Sequence, residues 1–155
     1  LDAWDRQANA NSRGAVLFAA WAEAMDLESL FAIPWNENSP RTTPDGLANP
    51  SNAVATLEAA ASKLKAAYGT LDVLWGDVFR LHYRDIDLPA NGGPSDLGIF
   101  RVLDFAPMED GRFQPIQGDS YVAAIEFSNP VRASVLTSYG NATQPDTPHL
   151  GTQLK

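Results

Sequence analysis

An α+β fold follows from two observations. Helical periodicity is confined to the first part of the chain, and runs rich in β-branched and aromatic residues follow only after the turn signal Asn91-Gly92-Gly93-Pro94. No internal repeat is visible. Residues 1–88 are therefore expected to be mainly helical with a Pro-rich loop, and residues 89–155 mainly antiparallel strands.

The first helix is expected over 13–31. Asn11 or Ser12 can cap it, and Val16, Leu17, Ala20, Trp21, Ala24 and Met25 recur at spacings of three and four. Pro34, Pro40, Pro44, Gly46 and Pro50 then follow closely enough to forbid regular structure over 33–50 and to force a long loop. Loops of this length tend to be functional or to lie on a partner. A second helix is expected over 52–68, with Ser51 as cap, Val54, Leu57, Ala61, Leu64 and Tyr68 on one face, and Gly69 as the stop. Residues 71–83 are ambiguous: Leu74, Val78 and Leu81 fit a helix, while Val78, Arg80 and His82 alternate with Phe79, Leu81 and Tyr83, and the stretch reads as a loop leading into a short strand. Three strands are expected at 99–105, 120–127 and 131–139. The three residues Ser128-Asn129-Pro130 between the last two favour an antiparallel hairpin. Tyr121 to Phe127 is apolar at nearly every position, so both faces of that strand are expected to be covered, as in an interior strand.

Composition excludes several classes. A chain of 155 residues with 45% hydrophobic residues can build one ordinary core. The net charge is −8, from 19 acidic and 11 basic residues, and no basic stripe exists, which argues against nucleic acid and anionic membranes. The longest helix-like apolar stretch, 15–25, carries Glu23 and is too short to span a bilayer. Cysteine is absent, which removes disulfides, thiolate catalysis and Cys-ligated zinc. Leu1-Asp2-Ala3-Trp4-Asp5 does not read as a signal peptide.

Side chains that could carry chemistry are sparse. His82 and His149 are the only histidines, and neither lies in a metal-binding spacing such as HExxH. Gly118-Asp119-Ser120-Tyr121 lacks the second glycine of a nucleophile elbow, so Asp119 and Ser120 are expected to begin a strand and close the preceding turn. Glu109-Asp110 reads as a turn between strands, and Asp85 with Asp87 as a solvated acidic loop. Neither pair suits glycosidase chemistry. Asn91-Gly92-Gly93-Pro94 does not fit a phosphate loop. Asn141-Ala142-Thr143 matches the glycosylation acceptor pattern. Of Trp4, Trp21, Trp35 and Trp75, three are expected in core or interface packing, and Trp35, in the Pro-rich loop, is a candidate pocket wall.

Several passages in one order resemble the penicillin amidase family. Leu1-Asp2-Ala3-Trp4-Asp5, Ser12-Arg13-Gly14-Ala15 and Leu17-Phe18-Ala19-Ala20-Trp21 are similar to a passage in the second half of that family's large chain. Thr43-Pro44-Asp45-Gly46-Leu47, Trp75-Gly76-Asp77-Val78-Phe79-Arg80-Leu81, Gly92-Gly93-Pro94 and Phe100-Arg101-Val102 follow in the same order. Gly118-Asp119-Ser120-Tyr121-Val122, Ser138-Tyr139-Gly140-Asn141 and Pro145-Asp146-Thr147-Pro148-His149-Leu150-Gly151-Thr152-Gln153 resemble its closing segment. Relatives usually have Asp before the Gln, where this chain has Thr152. The branch resembled is that of acyl-homoserine-lactone and aculeacin-type acylases.

The resemblance implies part of an αββα four-layer N-terminal-nucleophile hydrolase, with residues 1–155 as the C-terminal portion of the large chain. In such enzymes the free α-amine of a Ser, Thr or Cys assists its own side chain in attacking an amide, and an acyl-enzyme is then hydrolysed. The chain begins with Leu1, and the family's nucleophile and oxyanion Asn lie upstream of the matching passage. No catalytic residue is carried over, and no cofactor or metal is implied. The implied partners are the small chain and the remainder of the large chain of the same precursor, with a small-molecule N-acyl substrate such as an acyl-homoserine lactone, lipopeptide or β-lactam. The implied location is the periplasm. The rival expectation is a binding or scaffold module that reuses the fold without catalysis.

Overall fold

The computed structural model describes residues 1–83, 85–99, 102–137, 147 and 149. In chain order the elements are α1 (Ala15–Glu23), β1 (Phe31–Ile33), β2 (Asp45–Leu47), α2 (Pro50–Tyr68), α3 (Trp75–Val78), β3 (Arg80–Tyr83) and β4 (Ile86–Pro89). A 3-10 turn at Ser95–Leu97 precedes β5 (Leu103–Pro107), β6 (Phe113–Gly118), β7 (Tyr121–Glu126) and β8 (Arg132–Thr137). Helices and antiparallel hairpins together make the α+β class correct. The chain forms two compact units, Leu1–Arg6 with Ser12–Leu74, and Gln7–Asn11 with Trp75–Lys155.

In the first unit α1 packs against α2, burying Ala15, Val16 and Ala22 from one helix and Ala53, Ala60 and Leu64 from the other. The Trp21 indole Nε1 donates to the Ala53 carbonyl at 2.9 Å and fixes the crossing. Gly14, not Asn11 or Ser12, occupies the N-cap of α1, with φ at +89° and no side-chain cap bond. A Cβ at Gly14 would lie 3.0 Å from the Trp4 side chain, which itself packs on Phe18 at 4.9 Å between ring centroids. The helix ends well before residue 31. Beyond Glu23 the Asp26 carboxylate accepts from the Glu28 amide and the Ser29 hydroxyl, and this local turn competes with the helical ladder.

The Pro-rich region is loop over 34–44 but not throughout. β1 and β2 pair antiparallel, Phe31 opposite Leu47 and Ile33 opposite Asp45, and so close the loop at its base. The hydroxyl of Thr43 accepts from the Asn36 amide at 2.9 Å and donates to the Ser39 carbonyl at 2.8 Å. The loop therefore carries its own internal latch.

Helix α2 starts two residues earlier than expected. Asn49 caps it, its side chain accepting from the Asn52 amide at 3.0 Å, and Pro50 takes the first turn, where no N–H is needed. Ser51 is inside the helix. Gly69 ends it in the left-handed region at φ +74°, donating to the Lys65 carbonyl. Ala53, Ala60 and Leu64 form the inward line, and Val54, expected on that line, is 57% exposed.

In the second unit one helical turn, α3, leads directly into β3, so the segment read as loop then strand uses the helical spacing of Leu74 and Val78 for a single turn. β3 pairs with β4, β5 with β6 and β7 with β8, all antiparallel. β4 and β6 were not expected, and the strand expected at 99–105 is shifted to Leu103–Pro107. The segment 7–11 docks by backbone bonds: Gly76 N–H to Ala10 O and Gly92 N–H to Ala8 O, each 2.8 Å.

The caps give a direct test. Asn49→Ala is expected to lower stability by about 0.5–2 kcal/mol, and Ser51→Ala to leave it within about 0.5 kcal/mol, in urea unfolding followed by circular dichroism. The reverse order would return the cap to Ser51.

Candidate functional site

The second unit is organised around stacked aromatic rings. Trp75 is 1% exposed and stacks on Phe79 at 3.8 Å, with planes 13° apart. Phe105 meets Phe79 edge-on at 4.8 Å, and Phe113 stacks on Phe79 at 5.1 Å. One helical turn at Trp75–Val78 is what places Trp75 under Phe79, four residues on. Gly76 is required between them: a Cβ there would come 2.6 Å from the Pro89 Cβ and 2.9 Å from the Ala10 carbonyl oxygen. Val78, Ala90 and Leu103 complete the buried set.

Beside this core lies an ionic cluster. Arg80 Nε donates to one Asp87 carboxylate oxygen at 2.7 Å, and Arg112 Nη1 to the other at 2.8 Å. Arg112 Nε donates to Asp110 at 2.7 Å, while Arg80 Nη1 reaches the Gly76 carbonyl at 2.7 Å. The β3–β4 hairpin and the turn before β6 are joined through one carboxylate. Its bonds from Arg80, then from Arg112, hold the Asp87 carboxyl below the usual carboxylate range. Asp110 is lowered too, through the Arg112 amide first and its guanidinium second. Carboxylates engaged in this way are poor proton acceptors, so the cluster ties elements together and offers no general base.

This overturns the reading of Asp87 as part of a solvated loop. It stands in β4 opposite His82. The missed signal was the alternation of Asp85 and Asp87 with Ile86 and Leu88, a strand pattern too short to outweigh the acidic residues. Arg80 and Arg112, which no motif singled out, are the cluster's cations. Glu109-Asp110 is a turn, as expected. Asp119 is used differently from its expected local role: its carboxylate accepts from the Val102 amide at 3.1 Å, 17 positions away, and β7 begins only at Tyr121.

Trp35 lies in the first unit at the base of the latched loop and is 62% exposed. Phe31, Ile33 and Leu47 around the β1–β2 pair are exposed as well. His82 is half-buried in β3, and its Nδ1, like Trp75 Nε1, is buried without a hydrogen-bond partner among the described residues. His149 is exposed in a turn, its amide donating to the Thr147 hydroxyl at 3.3 Å. Among the described residues no group of three or more His, Asp or Glu could hold a metal ion, and no helix is long and apolar enough to cross a membrane. Phe100, Arg101, the stretch 138–146 with Asn141, and Thr152 and Gln153 lie outside the described residues.

The β7–β8 hairpin is the expected antiparallel pair, in continuous register from Tyr121 opposite Thr137 to Glu126 opposite Arg132. Its faces are not covered within this chain. Tyr121, Ile125, Val131, Val135 and Leu136 are exposed, and Phe127 is 90% exposed.

Two of the passages that carried the resemblance are thus close-packed: Trp4 against Gly14 and Phe18, and Trp75 with Gly76 beneath Phe79. This α+β chain belongs to the penicillin amidase family, whose profile matches residues 1–155. It is similar to acyl-homoserine lactone acylase PvdQ of Pseudomonas fluorescens Pf-5, at 29% identity over 161 residues, covering 99% of this chain and 21% of that protein. The PvdQ of P. syringae pv. tomato is 29% identical over 157 residues, covering 96% and 20% respectively. That of P. fluorescens Pf0-1 is 33% identical over 136 residues, covering 83% and 18%. The chain spans about a fifth of the length of these curated relatives.

Two outcomes check the core and the cluster. Gly76→Ala is expected to destabilise by about 1–3 kcal/mol, because backbone and proline ring bound the space, and denaturant titration measures it. Because the folded carboxyl of Asp87 titrates below its unfolded value, its stabilisation is present above about pH 4 and is lost as the pH falls further. Asp87→Asn should therefore lower the urea midpoint at neutral pH and flatten its decline below about pH 4; an unchanged acid limb would remove Asp87 from the account.

Proposed function

We propose that this chain is the C-terminal portion of the large chain of an N-terminal-nucleophile acylase with αββα layers, and that it serves as structure for an active site built on other polypeptide. The observation that carries this reading is the family match along residues 1–155, together with coverage of only about a fifth of the acyl-homoserine lactone acylases it resembles. In this reading the complete enzyme hydrolyses the amide of an N-acyl substrate. A nucleophile with its own α-amine attacks the carbonyl, an oxyanion hole stabilises the intermediate, and water releases the carboxylic acid. The substrate class is acyl-homoserine lactones or related N-acyl compounds, and the compartment is the periplasm.

Within that enzyme this piece contributes surface. Full burial of an exposed side chain of this size gains about 1.5–3 kcal/mol, and Phe127 at 90% exposed would gain most of that and the half-exposed Ile125, Val131 and Val135 about half, so association with the small chain and the remainder of the large chain is favourable. Trp35, on its latched loop, is placed in this reading as a wall of the acyl pocket.

Size-exclusion chromatography with intact-mass spectrometry of the natively produced protein tests this. The expected result is co-purifying chains, one starting with Ser, and amide hydrolysis by that assembly. A lone stable monomer, or turnover by these 155 residues without a companion, would sink the proposal.

A further inference from the structure

We infer that the β7–β8 hairpin docks through one face only, and that its occupant is an apolar layer of the remaining acylase polypeptide. This rests on the functional reading just given and adds to it which side of the hairpin is buried.

The register separates the faces. Directly opposed residues point the same way from a sheet, and alternate residues share a face. Tyr121, Ala123 and Ile125 of β7 therefore stand with Thr137, Val135 and Ala133 of β8, a face without charge. Val122, Ala124 and Glu126 stand with Leu136, Ser134 and Arg132 on the other, where the tip-side pair is Glu126 opposite Arg132 and the centre holds Ser134. Of the large exposed hydrophobic side chains within the ladder, Tyr121 (62%), Ile125 (51%) and Val135 (54%) stand on the uncharged face, and Leu136 (40%) stands on the other. At the tip Phe127 and Val131 flank a turn that the Ser128 hydroxyl fastens by donating to the Pro130 carbonyl at 2.8 Å.

An uncharged face of this kind, next to an aromatic ring 90% exposed, is an interaction surface rather than a solvated one. Large aromatic side chains in a rigid frame are the usual anchors of interfaces, and a pre-formed hairpin loses little entropy on docking. What covers it is indicated by length: about four-fifths of each relative lies outside the region matched here. The matching layer is therefore apolar polypeptide of the same enzyme, and the face bearing Glu126 and Arg132 is turned towards water.

Cysteine is absent from this chain, so single cysteines introduced into it report their surroundings cleanly. Ile125→Cys, Val135→Cys and Ser134→Cys are made in the complete enzyme and in the 155-residue chain alone, and maleimide labelling is located by peptide mass spectrometry. All three positions should label in the chain alone. In the complete enzyme positions 125 and 135 should lose labelling and position 134 keep it. Labelling at 125 and 135 in the complete enzyme, or equal loss at 134, would overturn the single-face inference while leaving the acylase reading intact. If the native protein instead runs as a lone monomer, both fail together. Phe127→Asp against Ser134→Asp supplies a second readout: recovery of the chain with its companions should be lost in the first and kept in the second.

Discussion

The stack of Trp75 on Phe79 is the constraint on which the second unit depends. A ring-to-ring distance of 3.8 Å leaves no room for error in the backbone between them, and that backbone is held by Gly76 N–H bonding to Ala10. The same short turn delivers Arg80 to Asp87, so ring packing and the ion cluster share one origin. Phe105 and Phe113 then have a surface to meet, which brings the β5–β6 hairpin beside β3. The aromatic contacts are individually modest, at roughly 1 kcal/mol each, and the ion pairs are screened by solvent. Their effect comes from being mutually positioned.

The first unit solves a smaller problem by related means. Two helices rich in alanine approach closely because their contact residues are small, and the one large polar aromatic at the contact, Trp21, satisfies its N–H on the Ala53 carbonyl. Gly14 is needed because Trp4 occupies the space a Cβ would take. Glycine and tryptophan thus recur as pairs in both units, one supplying area and the other the gap that admits it.

How legible this was depended on range. Helix α2 and its Gly69 stop were readable because periodicity and capping are local, yet the cap itself was misplaced from Asn49 to Ser51, since both are good cap residues and only backbone geometry chooses between them. Strands β7 and β8 were readable from β-branched runs and a short turn. Strands β4 and β6 were not: Asp87 and Asp85, and Gln114, Pro115 and Gln117, interrupt the apolar pattern, and their pairing is fixed by contacts with distant residues such as Arg80 and Leu103. The end of α1 was missed because the Asp26 side chain competes with the helix, an effect that periodicity does not weigh. Trp35 was singled out by its setting among prolines, and it stands exposed on a loop held by Thr43.

A sequence likeness made of packing residues transfers a scaffold more securely than a reaction. Among the residues that carry the likeness, Trp4, Gly14, Trp75 and Gly76 each have a steric reason that is independent of any substrate. The carboxylates of Asp87 and Asp110 are engaged by guanidinium groups, which favours their ionised forms. Membership in the family rests on the profile match over residues 1–155, and the packing gives several of the matched residues a steric reason. In the reading proposed above, the chain supports chemistry built on other polypeptide, and the uncharged face of β7–β8 is where that support would be exchanged for burial.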